Sequence, residues 1–255
     1  MIKKILIILI GLLIIIGSKI ITYRKGLYLY PVLDEKPHDN FIKSTKTRKF
    51  KLIDTLGWYI PGSKTKKIII FCHGNSYNIT WKTPLLTKLS NTFKCPIICI
   101  DYLRSKHISI TNMFNRTSKL VSGLLDKGFD KSNIVLFGES LGCSIVVQVA
   151  SKYKIPNVIS YIGFRNMRDL AREKIPLFGH IVAFFINELD NQSVILENNF
   201  NITLLNSPED KLVNFSHIKE MSKVTGAELL EIKGPHSKPE ISDDVFFRLK
   251  EKYDL

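Results

Sequence analysis

An α/β protein, with a mostly parallel central sheet and helices on both faces, is what the sequence predicts, and three observations carry that expectation. Several short runs are apolar almost throughout and rich in β-branched residues ("IIIFC", "IICI", "IVLF", "VISYI"), as strands buried on both faces must be. Between them lie longer segments whose apolar residues recur at helical spacing. The 255 residues, 45% of them hydrophobic, suffice for one sizeable core and show no fixed-period repeat or long Pro/Gly/Ser linker.

The elements run in order along the chain. "KFKLIDTLGWYIPG" alternates weakly and closes on Pro-Gly, so it reads as an antiparallel hairpin or edge strand. "KKIIIFCHGN" is a buried strand, and Thr80–Phe93 a helix. "CPIICIDY" is the next strand, followed by a helix over Ser109–Lys127 that ends at Gly128. Strands "NIVLFGE" and "NVISYIG" bracket a helix over Leu141–Lys152. Residues 164–199 then break the alternation with two helices, "MRDLAREK" and "FGHIVAFFINEL", expected as a short cap inserted above the sheet. "FNITLLN" and "GAELLEIKG" are the last strands, with a helix near Ser216–Val224 between them and a final one over Asp243–Lys252.

The N-terminus differs from the rest. Residues 1–25, "MIKKILIILIGLLIIIGSKIITYRK", contain an apolar run from Ile5 to Ser18 and then Lys19. As a helix, Ile5–Tyr23 is roughly 28 Å long, enough to span a bilayer if Lys19 reaches the headgroups. The expectation is a single-pass N-terminal membrane anchor, with a cleaved signal peptide as the alternative. Bulky Ile15 and Ile16 ahead of Gly17-Ser18 favour the anchor. Basic residues flank both of its ends, so the side of the membrane stays open. Residues 26–48 read as a basic linker and 49–255 as the folded domain.

The formal charge is +14. Residues 1–67 hold 14 Lys/Arg against 4 Asp/Glu, a net +10, which leaves +4 for the remainder. That excess would draw the linker toward anionic lipid headgroups, or it reflects solvated loop lysines; both readings stand. No basic helix or aromatic-basic interleave argues for a nucleic-acid partner. The four cysteines (Cys72, Cys95, Cys99, Cys143) sit within or beside apolar runs and read as buried free thiols. No group of residues has metal-ligand spacing and no cofactor is implied; oligomeric state is not encoded legibly.

The chemistry is carried by "GESLG". A Gly-x-Ser-x-Gly between a strand and a helix puts Ser140 on a strained turn with room for close strand-helix approach. A serine hydroxyl needs a base to take its proton and a third group to orient that base. Asp210 lies just past the end of the strand "NITLLN", and His236 just past the last strand, in "KGPHSK". Strand C-termini of an open parallel sheet share one crevice, so Ser140, Asp210 and His236 can converge there.

Together "FCHGN", "GESLG", "SPEDKLV" and "GPHS" resemble the α/β-hydrolase-fold serine hydrolases, over about residues 49–255, and within them the membrane-anchored monoacylglycerol-lipase and acyl-protein-thioesterase branch. The resemblance implies that Ser140 is the nucleophile, His236 the base and Asp210 its orienter. It further implies that the backbone N–H groups of Asn75 and Leu141 hold the oxyanion, and that His73 is structural. Three positions depart from the family pattern: Leu103-Arg104-Ser105-Lys106 replaces Arg-Gly-x-Gly, Asn214 stands where Pro is usual, and Pro235 where Gly is usual.

The other candidates weigh less. Glu209 adjoins Asp210 and is the alternative acid, with Asp210 preferred for its spacing to Val213. His217 lies in a helix and suits a surface role; His38, His107 and His180 have no convergent partners in the sequence; Cys143 suits helix packing. The apolar face of "HIVAFFINEL" fits a lipid-facing cap or plain core equally. The expected function is cleavage of a carboxylic ester or thioester of a lipid-like acyl group through an acyl-enzyme, with a lipid or acylated substrate as partner. The rivals are a peptidase of the same fold and a catalytically silent membrane-bound binding protein.

Overall fold

The computed structural model describes residues 38–53, 55–63, 65–75, 77–102, 109–174 and 189–255. The expected anchor, the 103–106 departure and most of the second cap helix, with His107 and His180, lie outside the described residues. Among the described residues no helix is long and apolar enough to cross a membrane.

Among the described residues eight strands form one sheet: β1 Arg48–Leu52, β2 Thr55–Ile60, β3 Ile68–Cys72, β4 Ile97–Asp101, β5 Ile134–Glu139, β6 Asn157–Tyr161, β7 Asn201–Asn206 and β8 Glu228–Glu231. Their spatial order is β1-β2-β4-β3-β5-β6-β7-β8. The first two form the expected hairpin, and β2 runs antiparallel to β4; every later pairing is parallel. β3, β4, β5 and β6 are buried at every residue. This is the physical reason their runs lack alternation: both faces meet protein.

Helices cover both faces. Alternate residues of β3 point to opposite cores, with Ile68, Ile70 and Cys72 in one and Ile69 and Phe71 in the other. The first core is closed by α3 (Ile110–Asp126), α4 (Leu141–Tyr153) and α7 (Phe215–Thr225), through Met113, Val121, Ile145, Ile218 and Met221. The second is closed by α2 (Thr83–Phe93) and α8 (Asp243–Tyr253), through Leu86, Leu89, Val245, Phe246 and Leu249. Each such side chain, fully buried, stabilises the fold by about 1.5–3 kcal/mol. The start of α3 is set by Ser109, whose Oγ accepts the Asn112 N–H at 3.1 Å.

Two short helices were not expected. α1 (Asp39–Thr45) lies within the stretch read as a linker and buries Phe41, whose ring stacks on Trp58 at 5.5 Å. Helix α6 (Asn191–Leu196) comes after the cap helix α5 (Met167–Lys174), and Asp190 accepts the Ser193 N–H at its N-terminus. Alignment of the parallel strands is the feature that builds the site. Cys72, Gly138 and Ser160 are level across β3, β5 and β6, so the residues beyond them in the chain emerge along one edge.

Candidate active site

Ser140 stands between β5 and α4 with φ 50° and ψ −115°, a conformation that costs of order 1–3 kcal/mol for a residue with a Cβ. Packing holds it there. A Cβ on Gly138 would lie 2.6 Å from the Gly142 carbonyl oxygen, and one on Gly142 would lie 2.1 Å from the Cys72 carbonyl oxygen. Both glycines are therefore required by the close passage of α4 over the strand ends. The Ser140 N–H donates to the Tyr161 carbonyl at 2.8 Å, tying the turn to β6. The helix leaves at once, with the Cys143 N–H on the Ser140 carbonyl at 3.0 Å.

Ser140, His236 and Asp210 come together at this edge. Ser140 Oγ is 3.0 Å from His236 Nε2, and His236 Nδ1 is 2.6 Å from Asp210 Oδ2. An ionised carboxylate only accepts, so Nδ1 carries the proton toward Asp210 and Nε2 is left to accept from the Ser140 hydroxyl. The other carboxylate oxygen, Asp210 Oδ1, accepts the N–H groups of Leu212 at 2.8 Å and Val213 at 3.0 Å. Burial alone would raise the Asp210 carboxyl. The hydrogen bonds from His236, Val213 and Leu212 outweigh it and hold the group below its ordinary range.

Glu209 is directed elsewhere: its Oε1 accepts the Gly234 N–H at 3.1 Å. Gly234 has φ 85° and opens the turn that presents His236, which the Lys238 N–H closes on the Pro235 carbonyl at 2.9 Å. Pro235 thus fits a turn rather than disrupting one. Asn214 fills the N-cap of α7, accepting the Ser216 N–H at 3.0 Å, which gives the replacement of proline there a local role.

Of the two expected oxyanion residues, Asn75 lines the cavity in front of Ser140, and Leu141 is the first residue of α4. A Cβ on Gly74 would lie 3.1 Å from that of Ser140, so the Gly74-Asn75 backbone abuts the turn. The cavity is about 450 Å³, within the range of small-molecule sites, and Tyr77, Ile162, Leu212 and Pro235 give it apolar walls.

His73 is fully buried, stacks on Tyr102 at 4.1 Å, and places Nδ1 2.9 Å from the Gly74 carbonyl. Burial, reinforced by the Lys82 charge, lowers it to about 4. It is a neutral packing element of the turn. His217 pairs with Glu173 of α5 at 3.3 Å, and His38 lies 3.1 Å from Lys49 Nζ; neither faces Ser140. Cys143 is buried, with Sγ 3.0 Å from the Gly138 carbonyl, and burial pushes the thiol to about 12.

One contact is not foreshadowed by the sequence. Glu139, the second residue of "GESLG", is buried; its Oε2 accepts the Gly74 N–H at 3.1 Å and its Oε1 meets Lys82 Nζ at 2.8 Å. The glutamate is legible only as a letter inside the motif. Its partner lies 57 residues away, at the end of a 3₁₀ turn over Ile79–Lys82, and no local pattern joins the two.

No family model matches the chain. An uncharacterised protein of Acanthamoeba polyphaga mimivirus is 26% identical over 236 residues, covering 82% of this chain and 79% of that protein. A second protein of that virus, named as a putative alpha/beta hydrolase, is 34% identical over 93 residues, which is 34% of this chain and 35% of the other. Among solved structures, the Pyrococcus furiosus esterase Pf2001 superposes with a TM-score of 0.69 at 15% identity, covering 89% of this chain and 97% of that one. Est1E from Butyrivibrio proteoclasticus gives a TM-score of 0.62 at 15% identity, covering 82% and 99%. With the strand order and the strand-turn-helix at Ser140, these likenesses establish the α/β-hydrolase fold.

Proposed function

Starting from that fold, we propose that the chain is a serine hydrolase that cleaves a carboxylic ester or thioester through an acyl-enzyme. The observation that carries the reading is the unbroken line Ser140 Oγ, His236 Nε2, His236 Nδ1, Asp210 Oδ2, with separations of 3.0 and 2.6 Å, opening on the cavity. His236 takes the Ser140 proton as Oγ attacks the carbonyl carbon. The N–H groups of Asn75 and Leu141 receive the oxyanion, and the imidazolium, steadied by Asp210, returns the proton to the leaving oxygen or sulfur. Water, deprotonated by His236, then releases the acid and frees Ser140.

A lipid-like acyl substrate is the finer part of the proposal. Support comes from the apolar cavity walls and from the hydropathy of residues 1–25, with the neighbouring basic excess, which would hold the domain at a membrane as a single-pass anchor. The test uses the full-length chain in detergent. A fluorophosphonate is expected to label wild type and not Ser140→Ala, and hydrolysis of monoacylglycerol, lysophospholipid and S-acyl-peptide substrates is to be compared with that of a short soluble ester. Full labelling of Ser140→Ala would refute the nucleophile. Equal turnover of soluble and lipid esters would refute the lipid preference. For the anchor, full-length protein should stay in the pellet through alkaline carbonate; release into the supernatant would refute it.

A further inference from the structure

The acyl-enzyme mechanism leaves Glu139 and Lys82 without a task, although both lie at the site. Their side chains are only 8% and 13% exposed, and burying two charges is costly unless geometry and function repay it. The pair also joins two pieces of the oxyanion machinery. Glu139 immediately precedes Ser140, while its Oε2 grips the Gly74 N–H, one residue before Asn75. We infer that Glu139 and Lys82 form a positioning pair: the carboxylate holds the turn that presents the Asn75 N–H, and the ammonium cancels a negative charge that would oppose the forming oxyanion.

The inference rests on the hydrolase reading, and it assigns unequal parts to the two residues. A carboxylate next to an incipient oxyanion is a like charge in a medium of low dielectric, so it slows the reaction unless neutralised. Glu139 is useful as a hydrogen-bond acceptor and harmful as a bare anion; Lys82 is needed because Glu139 is charged. A pair kept only for folding would lack this asymmetry.

Several titratable groups share the field of Glu139: His73, Tyr102, Cys143 and Tyr161. The cavity adds His236 and Lys211, and Asp101 lies 3.8 Å from His73. Burial lowers His73 to about 4, lifts Cys143 to about 12, and raises both tyrosines further.

The experiment compares wild type, Lys82→Met, Lys82→Arg, Glu139→Gln and the double variant Lys82→Met/Glu139→Gln, by thermal melting and by steady-state hydrolysis of a soluble ester. Lys82→Met should lower kcat on the order of 10- to 100-fold at mildly alkaline pH, short of the loss from deleting an oxyanion donor outright, with KM little changed. Glu139→Gln, which keeps an acceptor for Gly74, should be the milder single change. The double variant should recover much of what Lys82→Met loses, and Lys82→Arg should stay near wild type. If Lys82→Met does not fold, Lys82→Gln takes its place in the same comparisons, with the same loss and the same recovery on adding Glu139→Gln expected. Equal losses from both single variants, or a double variant no faster than Lys82→Met, would overturn the pairing alone. A wild-type chain that neither hydrolyses esters nor takes a fluorophosphonate would overturn the hydrolase reading and this inference with it.

Discussion

Ser140 and His236 reach the same cavity by opposite means. The serine turn is fixed by exclusion: Gly138 and Gly142 leave no space for a side chain, α4 passes over the strand ends, and the positive φ of Ser140 persists because everything around it is packed. The histidine turn lies at the surface, with Glu209 and Gly234 joined by one hydrogen bond, Pro235 and Lys238 by another, and Asp210 holding the ring itself. Ser140 is thus seated on the core, and His236 is tethered to it. The contrast teaches that damage near Ser140 should appear first as lost stability, and damage near His236 first as lost rate.

The largest expected effect breaks the tether at its strongest point. Asp210→Asn should lower kcat on the order of 10⁴-fold, because an amide can steady the wrong imidazole tautomer, with only a modest fall in melting temperature from the lost carboxylate. Stopped-assay hydrolysis beside a melting curve tests it; a variant that loses stability but keeps its rate would contradict the tether. The same carboxyl gives a pH signature. Its folded value lies below the ordinary 3.8, so its contribution to stability is complete above the unfolded value and is lost as the pH falls through the lower folded one. Acid unfolding followed by circular dichroism should therefore be shallower in Asp210→Asn than in wild type below about pH 4.

Next in size is the packed side. Gly142→Ala would place a methyl 2.1 Å from the Cys72 carbonyl oxygen, so the helix must shift. The expected cost is about 3 kcal/mol or more, at the upper end for overpacking. Denaturant titration measures it, and a loss below about 1 kcal/mol would show that α4 is not wedged against β3. A smaller effect separates the tether's parts: Glu209→Ala should slow turnover roughly tenfold by freeing Gly234, whereas Glu209→Gln, still an acceptor, should cost little. The smallest is Asn214→Ala, which removes the cap of α7 and should cost about 1 kcal/mol of stability with kcat intact.

The legibility of the sequence divides along the same line. Strands β3 to β7 could be read because double burial leaves near-continuous β-branched runs, and the turn at Ser140 because its sterics demand glycines in the text. Helix α1 escaped because a seven-residue helix owes its stability to Phe41 on Trp58 rather than to periodicity. Helix α6 carried a signal that went unused, an aspartate three residues ahead of Ser193. The motifs put Asp210 and His236 just past strand ends, and both lie at the edge that carries Ser140. What Glu209 does with the adjacent turn, and what Lys82 does with Glu139, depends on which loops meet in space, and that is written in no single stretch.

The four cysteines offer the experimenter a counter. All are free and fully enclosed, and burial lifts Cys72, Cys95 and Cys143 to about 12, so the folded chain presents alkylating reagents with neither access nor thiolate. A molecule that opens globally exposes every sulfur together and should gain four labels at one stroke, visible as a bimodal mass spectrum with nothing in between. Brief pulses of maleimide would then tally unfolded molecules one by one, without an added dye or an engineered residue. Species carrying one or two labels would instead map which wall of the protein breathes alone.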